Sequence, residues 1–312
     1  MNAQVFNAPM RDSSIASVSP AKAALWLVVT TILWGGSFVF NKIGFREIPP
    51  VMFLFLRFLL ATIVMGMICL PRLRHINLEI IKKGWWVGTA LAAANLSFVI
   101  GVNGTSVTRA GFLNNLFVLL VPLLCFLFWR DRVDRMTFSG IFLAVLGIAL
   151  LAAGGFSQGD LFSTVCALFI AIHIITVSKV LRHEDVYLVT LVQFATVAAI
   201  GALLTLIIPE RPFHIGPVSA GALIYCAIFP TVICFTLQNT FQRYTTPTRA
   251  GLIYTLDPVW SMLGGFIVLG ERLSYREWLG CGLIFGAVVV PLLVRLYVER
   301  RLISNYRVPT AE

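Results

Sequence analysis

The stretch "GLIYTLDPVWSMLGGFIVLGERL", residues 251–273, sets one carboxylate, Asp257, among leucine, isoleucine, valine, tryptophan and glycine. Charge returns only at Glu271 and Arg272, close to its end. A run of about 20 apolar residues is long enough to cross a ~30 Å hydrocarbon core as a helix. An acid inside such a run is costly, so by default it marks a function. Asp257 lies nine residues past Thr248, which at ~1.5 Å per helical residue puts it roughly 14 Å deep, near a bilayer midplane.

The rest of the chain fits that reading. Of 312 residues, 58% are hydrophobic and only 12% charged, with mean hydropathy +0.89. Soluble domains carry about 25% charged residues. The net charge of +10 is spread between apolar runs. It is not gathered into the basic face that nucleic-acid binding needs, so no nucleic-acid partner is expected. The six cysteines are scattered through apolar runs without metal spacing, and read as small packing residues. No cofactor or metal motif stands out. Residues 1–20 are polar and rich in serine, unlike the apolar core of a signal peptide.

Ten apolar runs follow: 23–44, 50–70, 84–103, 108–129, 136–154, 160–180, 186–208, 217–240, 248–269 and 274–296. The separators are too short for a soluble domain, so any chemistry lies within the helical bundle. The fold class is therefore an all-α polytopic membrane protein of ten transmembrane helices. With the N-terminus cytoplasmic, seventeen of the 24 Lys and Arg residues fall on cytoplasmic segments and six on the outer ones, Arg57 lying inside a span. That bias predicts both termini in the cytoplasm. Trp85, Trp86 and Trp129 fall at expected interfaces.

The chain also repeats itself. At a shift of 140, "TSVTRAGFL" (105–113) lies on "TTPTRAGLI" (245–253), and Arg132 on Arg272; at 136, "FLRF" (55–58) lies on "LVQF" (191–194). Each half holds five spans, an odd number, so the second half inserts upside-down. The expected organisation is a tail (1–22), a first repeat (23–154), a second repeat (160–296) and a tail (297–312). Inverted repeats are a common build for secondary transporters, with the substrate near the midplane between halves.

Four segments carry a family resemblance: "LWGGSFVFNK" (33–42), "FLRF" (55–58), "GDLFSTVCALFIA" (159–171) and "LDPVWSMLGGFIVLGERLSYREWLGCGLIFGAVVV" (256–290). Together they resemble the ten-helix EamA-type exporters of the drug/metabolite transporter superfamily, over essentially residues 23–296. Asp257-Pro258 and Gly270-Glu271-Arg272 match the most specific pattern, with Asp where the family more often has Glu. Two departures are "WRDR" rather than "GER" ending span four, and Ile170 where span six often has tryptophan. The resemblance implies export of small metabolites but does not name the substrate.

Several polar side chains are candidates for a shared site. Asp257 reads as a cavity-lining ligand for a substrate amine or as a proton acceptor; the competing reading is a neutral carboxyl hydrogen-bonded to a neighbouring helix. Tyr254, Asp257 and Ser261 share a helix face, with Trp260 adjacent. Pro258 removes a backbone donor and is expected to kink span nine. Trp34, Ser37 and Asn41 line up on span one; Asn95, Asn114, Asn115, His173 and Gln238 come from spans three, four, six and eight. Each is also a candidate for plain interhelical hydrogen bonding. His173 invites a proton relay, since an imidazole titrates at about 6.5 in water; neutral packing is the alternative. Arg57, matched by Gln193, reads as gating or structural, with substrate contact as the alternative. Arg109 and Arg249 read as caps on opposite faces.

The function expected is a secondary transporter exporting amino-acid-like or other small metabolites by alternating access, with proton exchange, protons being the coupling ion, or facilitated diffusion as its energy source. The alternatives are a multidrug or cation efflux protein of the same fold, or a non-transporting scaffold or sensor. No catalytic constellation supports an enzyme.

Overall fold

A computed structural model describes residues 20–129, 135–180, 184–208, 211–241 and 253–305. Arg249 and both polar tails lie outside these residues, apart from the first turn of span one and the end of span ten. Among the described residues the chain is helical without strands, and its helices group into ten segments. Seven are long and apolar enough to cross a membrane, and two shorter apolar helices, Ser139–Ala152 and Asp257–Leu269, fall where spans five and nine are expected. The tenth is the long helix Tyr275–Asn305.

Local chemistry fixes the ends. Asn77, Ser106 and Asp185 cap spans three, four and seven by accepting backbone N–H groups through their side chains. Span nine stops at Gly270, whose φ of 67° is the left-handed conformation that glycine adopts without a Cβ clash. Its orphan carbonyl at Gly265 accepts the N–H of Glu271 at 3.0 Å.

Packing between spans obeys a two-fold rule. Span three packs on six and span one on eight; span three also packs on seven and span two on eight; span one packs on nine and span four on six. Adding five to each span number turns one member of each couple into the other. Pairs two–seven, four–nine and five–ten map onto themselves. With an odd number of spans per half, this is the contact pattern of two inverted five-helix repeats. Packing is close enough to need glycine at some crossings. A Cβ on Gly159 would lie 2.2 Å from the Gly104 carbonyl carbon, and one on Gly111 would lie 2.0 Å from Ser261 Oγ.

The core falls into two clusters. One gathers Phe53, Phe58, Leu91, Val189, Phe194 and Phe235 from spans two, three, seven and eight. The other gathers Phe112, Leu116, Leu151, Tyr254 and Ile284 from spans four, five, nine and ten. Spans one, four and six belong to both: Leu27, Leu113 and Ala167 sit in the second cluster, Phe38, Ala110 and Val177 in the first. Trp34 touches both, so it stands on the seam.

Candidate functional site

Two spans are interrupted at the seam, at matched places. Span four is helical over Val107–Asn114 and again over Phe117–Trp129; span nine resumes as a helix at Asp257 after a turn at residues 255–256. The hydrogen bonds repeat. Leu116 N donates to Leu113 O at 3.2 Å, while Leu119 N and Leu120 N both donate to Leu116 O; Leu256 N donates to Ile253 O at 3.1 Å, while Val259 N and Trp260 N both donate to Leu256 O. The sequence expectation is that Pro258 kinks span nine from within. It sits instead in the first turn after the break, where its missing N–H costs nothing, and the matched break in span four has Val118 at that place. The interruption belongs to the repeat rather than to one proline.

Span eight carries a different irregularity, a π turn over Ile228–Ile233. Pro230 has no N–H to give the carbonyl of Cys226, four residues back, and the Thr231 hydroxyl donates to it instead at 2.7 Å. Trp34 Nε1 donates to the Pro230 carbonyl at 3.0 Å. The same Thr231 oxygen accepts Arg57 Nε at 2.7 Å. A proline followed by threonine inside an apolar run is a signal in the sequence that could have located this turn.

Between these irregular segments lies a cavity with about 110 Å³ open to a water-sized sphere, against about 10–15 Å³ for a single water. Fourteen of its 18 lining residues form two-fold pairs. Trp34 pairs with Ile170, Ser37 with His173 and Phe38 with Ile174 at the shift of 136; Asn95 pairs with Phe235, Phe98 with Gln238, Asn114 with Tyr254 and Phe117 with Asp257 at 140. The cavity thus lies about the axis relating the repeats. Six of the lining residues are aromatic, and the Trp34 ring lies 5.7 Å from both Phe235 and Tyr254.

The expected ring of residues is only partly assembled. Asp257, Tyr254, Trp34, Asn95, Asn114, His173 and Gln238 line the cavity, and so does Arg57. The others stand apart. Asn41 is buried against span eight, its amide donating to Ser37 O and Cys226 Sγ. Asn115 is buried in the span-four break. Trp260 packs over Gly35 and donates from Nε1 to Thr31 Oγ1 at 3.2 Å, and Ser261 faces Gly111. Gln193 is buried behind His173, with its Nε2 2.7 Å from His173 Nε2. Trp260 and Ser261 share the helix of Asp257, but the close crossings at Gly35 and Gly111 hold them against spans one and four.

Polar atoms around the cavity are left open. Among the described residues, Arg57 Nη1, Asn114 Oδ1, Gln238 Oε1 and Asp257 Oδ1 are buried atoms without a hydrogen-bond partner. Arg57, Asn114 and Gln238 are almost wholly buried residues, whereas Asp257 is partly exposed. Four of the eleven such atoms line this one cavity, where a bound molecule can satisfy them.

The expected outer end is laced by side chains whose partners the sequence does not show, among them Arg109, read there only as a cap. Arg109 grips Asp160 through Nε at 3.1 Å and Nη2 at 2.6 Å, and also donates to the carbonyls of Leu151 and Gly155. Glu271 accepts from Val107 N, Thr108 N and Thr108 Oγ1, capping span four from the end of span nine. Lys42 Nζ donates to the carbonyls of Val102, Asn103 and Thr105. Glu47 accepts from Gly216 N and Ser219 Oγ, which joins the loop after span one to the start of span eight. At the expected inner end, Lys83 bridges Glu79 and Glu184, and Arg72 lies 3.6 Å from Asp185.

The model of the EamA-like transporter family matches this chain twice, over residues 21–153 and 157–293. The chain belongs to that family. Among similar proteins, an uncharacterized transporter of Archaeoglobus fulgidus is 29% identical over 86% of this chain and 85% of its own length. The uncharacterized inner membrane transporter YedA of Escherichia coli K12 is 25% identical over 84% of this chain and 88% of its own. A solved crystal structure shares the fold at a TM-score of 0.66 and 21% identity, covering 90% of this chain and all of that one. The EamA-like chain is thus an integral membrane protein of a transporter family and not an enzyme, with a small molecule and the bilayer as its partners.

Proposed function

We propose that the chain is a secondary transporter exporting amino-acid-like or other small metabolites by alternating access, with the seam cavity as its substrate site. The observation that carries this reading is the cavity itself: two-fold-paired walls, four unsatisfied polar atoms, and a broken helix from each repeat beside it. Two inverted repeats give two packings of similar energy, each opening the cavity to one face. Spans one, four and six carry residues of both core clusters, so they are the elements that bend as the clusters rock. Asp257 offers a carboxylate to a substrate amine or to a proton, which would couple export to the proton gradient. Both termini are placed in the cytoplasm, with the first repeat over residues 23–154 and the second over 160–296. The aromatic wall beside Asp257 also suits a lipophilic cation, so cation efflux is the second reading.

The test is flux through purified protein in vesicles, after metabolite profiling of cells with and without the chain has named candidates. Time-dependent, saturable movement of at least one small metabolite is expected. Its absence from every candidate tested would leave a scaffold or sensor as the better reading.

A further inference from the structure

The cavity walls are two-fold related, but the two charges on them are not. Arg57 stands in the first repeat where the second has Gln193, and Asp257 stands in the second where the first has Phe117. A scaffold requirement would place the same residue in both halves. A single charge from each half, each with an uncharged counterpart, instead matches a ligand whose two ends differ.

The guanidinium site is built rather than incidental. Arg57 is 3% exposed, its Nε is fixed on Thr231 Oγ1, and its Nη1 is buried without a partner at the cavity wall. Thr231 is held in turn by the Cys226 carbonyl that Pro230 leaves free. Among the described residues Arg57 makes no ion pair. The other open atoms, Asp257 Oδ1, Asn114 Oδ1 and Gln238 Oε1, are all acceptors. An ammonium group carries three N–H donors, and a carboxylate carries none but accepts from a guanidinium.

We infer that the cavity takes a zwitterion, with Arg57 as the subsite for the substrate's carboxylate and Asp257, Asn114 and Gln238 as the subsite for its ammonium group. This rests on reading the cavity as the transport site. A plain amine leaves the guanidinium uncompensated, and a plain carboxylate does the same to Asp257; an unmatched buried charge is costly on either side. A zwitterion satisfies both, and the aromatic wall of Trp34, Phe235 and Tyr254 accommodates an apolar side chain between them.

The experiment uses purified full-length protein in vesicles, with counterflow of a labelled pool of the proteinogenic amino acids. For the amino acid moved best, its decarboxylated amine and its deaminated acid are then run as competitors. Wild-type protein is expected to prefer the amino acid at least tenfold over both analogues. In Arg57→Gln, the preference over the amine is expected to vanish, while the preference over the deaminated acid remains. Asp257→Asn is expected to do the reverse. Thr231→Val, which keeps the guanidinium and removes its anchor, is expected to weaken preference over the amine by at least threefold, and serves if Arg57→Gln does not fold.

The inference is overturned if folded Arg57→Gln keeps the wild-type preference for the amino acid over its amine. Should that variant not fold, Thr231→Val with an unchanged preference is equally decisive. It is also overturned if amines or organic acids are moved and no amino acid is, an outcome that leaves the transporter reading standing. If nothing is moved, that reading falls and takes this one with it.

Discussion

Asp257 and Glu47 are two acids of one chain in opposite settings. Asp257 faces the cavity with one oxygen unpartnered. Asp257→Asn keeps the shape and removes the charge, so flux in vesicles is expected to lose its dependence on a pH gradient while the protein still inserts. Unchanged dependence would remove Asp257 from coupling. Glu47 lies in a loop, where the Ser219 hydroxyl and the Gly216 N–H hold its carboxyl below the usual carboxylate range. Its pKa is lower folded than unfolded. The clasp therefore holds fully above the unfolded value of about 4.3 and is lost as pH falls through the lower folded one. Hydrogen exchange at residues 216–219 should accelerate on such acidification, and Glu47→Gln should abolish the acid response.

At the scale of elements, the crossing of spans four and nine and the Arg109–Asp160 pair are the places most sensitive to substitution. Gly111→Val would drive a side chain into Ser261, and overpacking of this kind costs about 1–3 kcal/mol. Asp160 is fully buried and satisfies Arg109, Thr105 and Ser157 at once. Asp160→Ala removes the nearer carboxylate from the guanidinium, which keeps Glu277 at 3.4 Å, and breaking a buried pair from one side costs about 3–5 kcal/mol. Thermal unfolding in detergent should show both losses, with Asp160→Ala the larger. The helices were legible because apolar length and short polar separators suffice to mark them. The breaks in spans four and nine were not, because hydropathy averages over the run that contains them. Pro258 drew attention to the right place for an incomplete reason. Trp260 shares the unbroken helix Asp257–Leu269 with Asp257, but its ring turns to Thr31 and Gly35 of span one, a neighbour that spacing within span nine does not reveal.

Over the whole molecule, the structure has its expected outer end tied between the repeats by the Glu47 clasp and by Arg211, which donates to the carbonyls of Phe45 and Arg46. Alternating access requires that end to part. A cross-link between Glu47→Cys and Ser219→Cys is therefore expected to stop flux, with reductant restoring it; flux that continues through a verified cross-link would exclude opening at this end.

Residue order alone determined that the chain crosses a membrane ten times as two related halves, since burial in lipid is written in local hydropathy and the repeat in matched residues such as "TRAG" (108–111 and 248–251). It also singled out Asp257, because a carboxylate in an apolar run is conspicuous without any partner. Only the tertiary structure decided which polar side chains share a cavity. Asn95 and Gln238 reach it while Asn41 and Trp260 do not, because packing across the two-fold seam, rather than depth in a span, sets where each side chain ends.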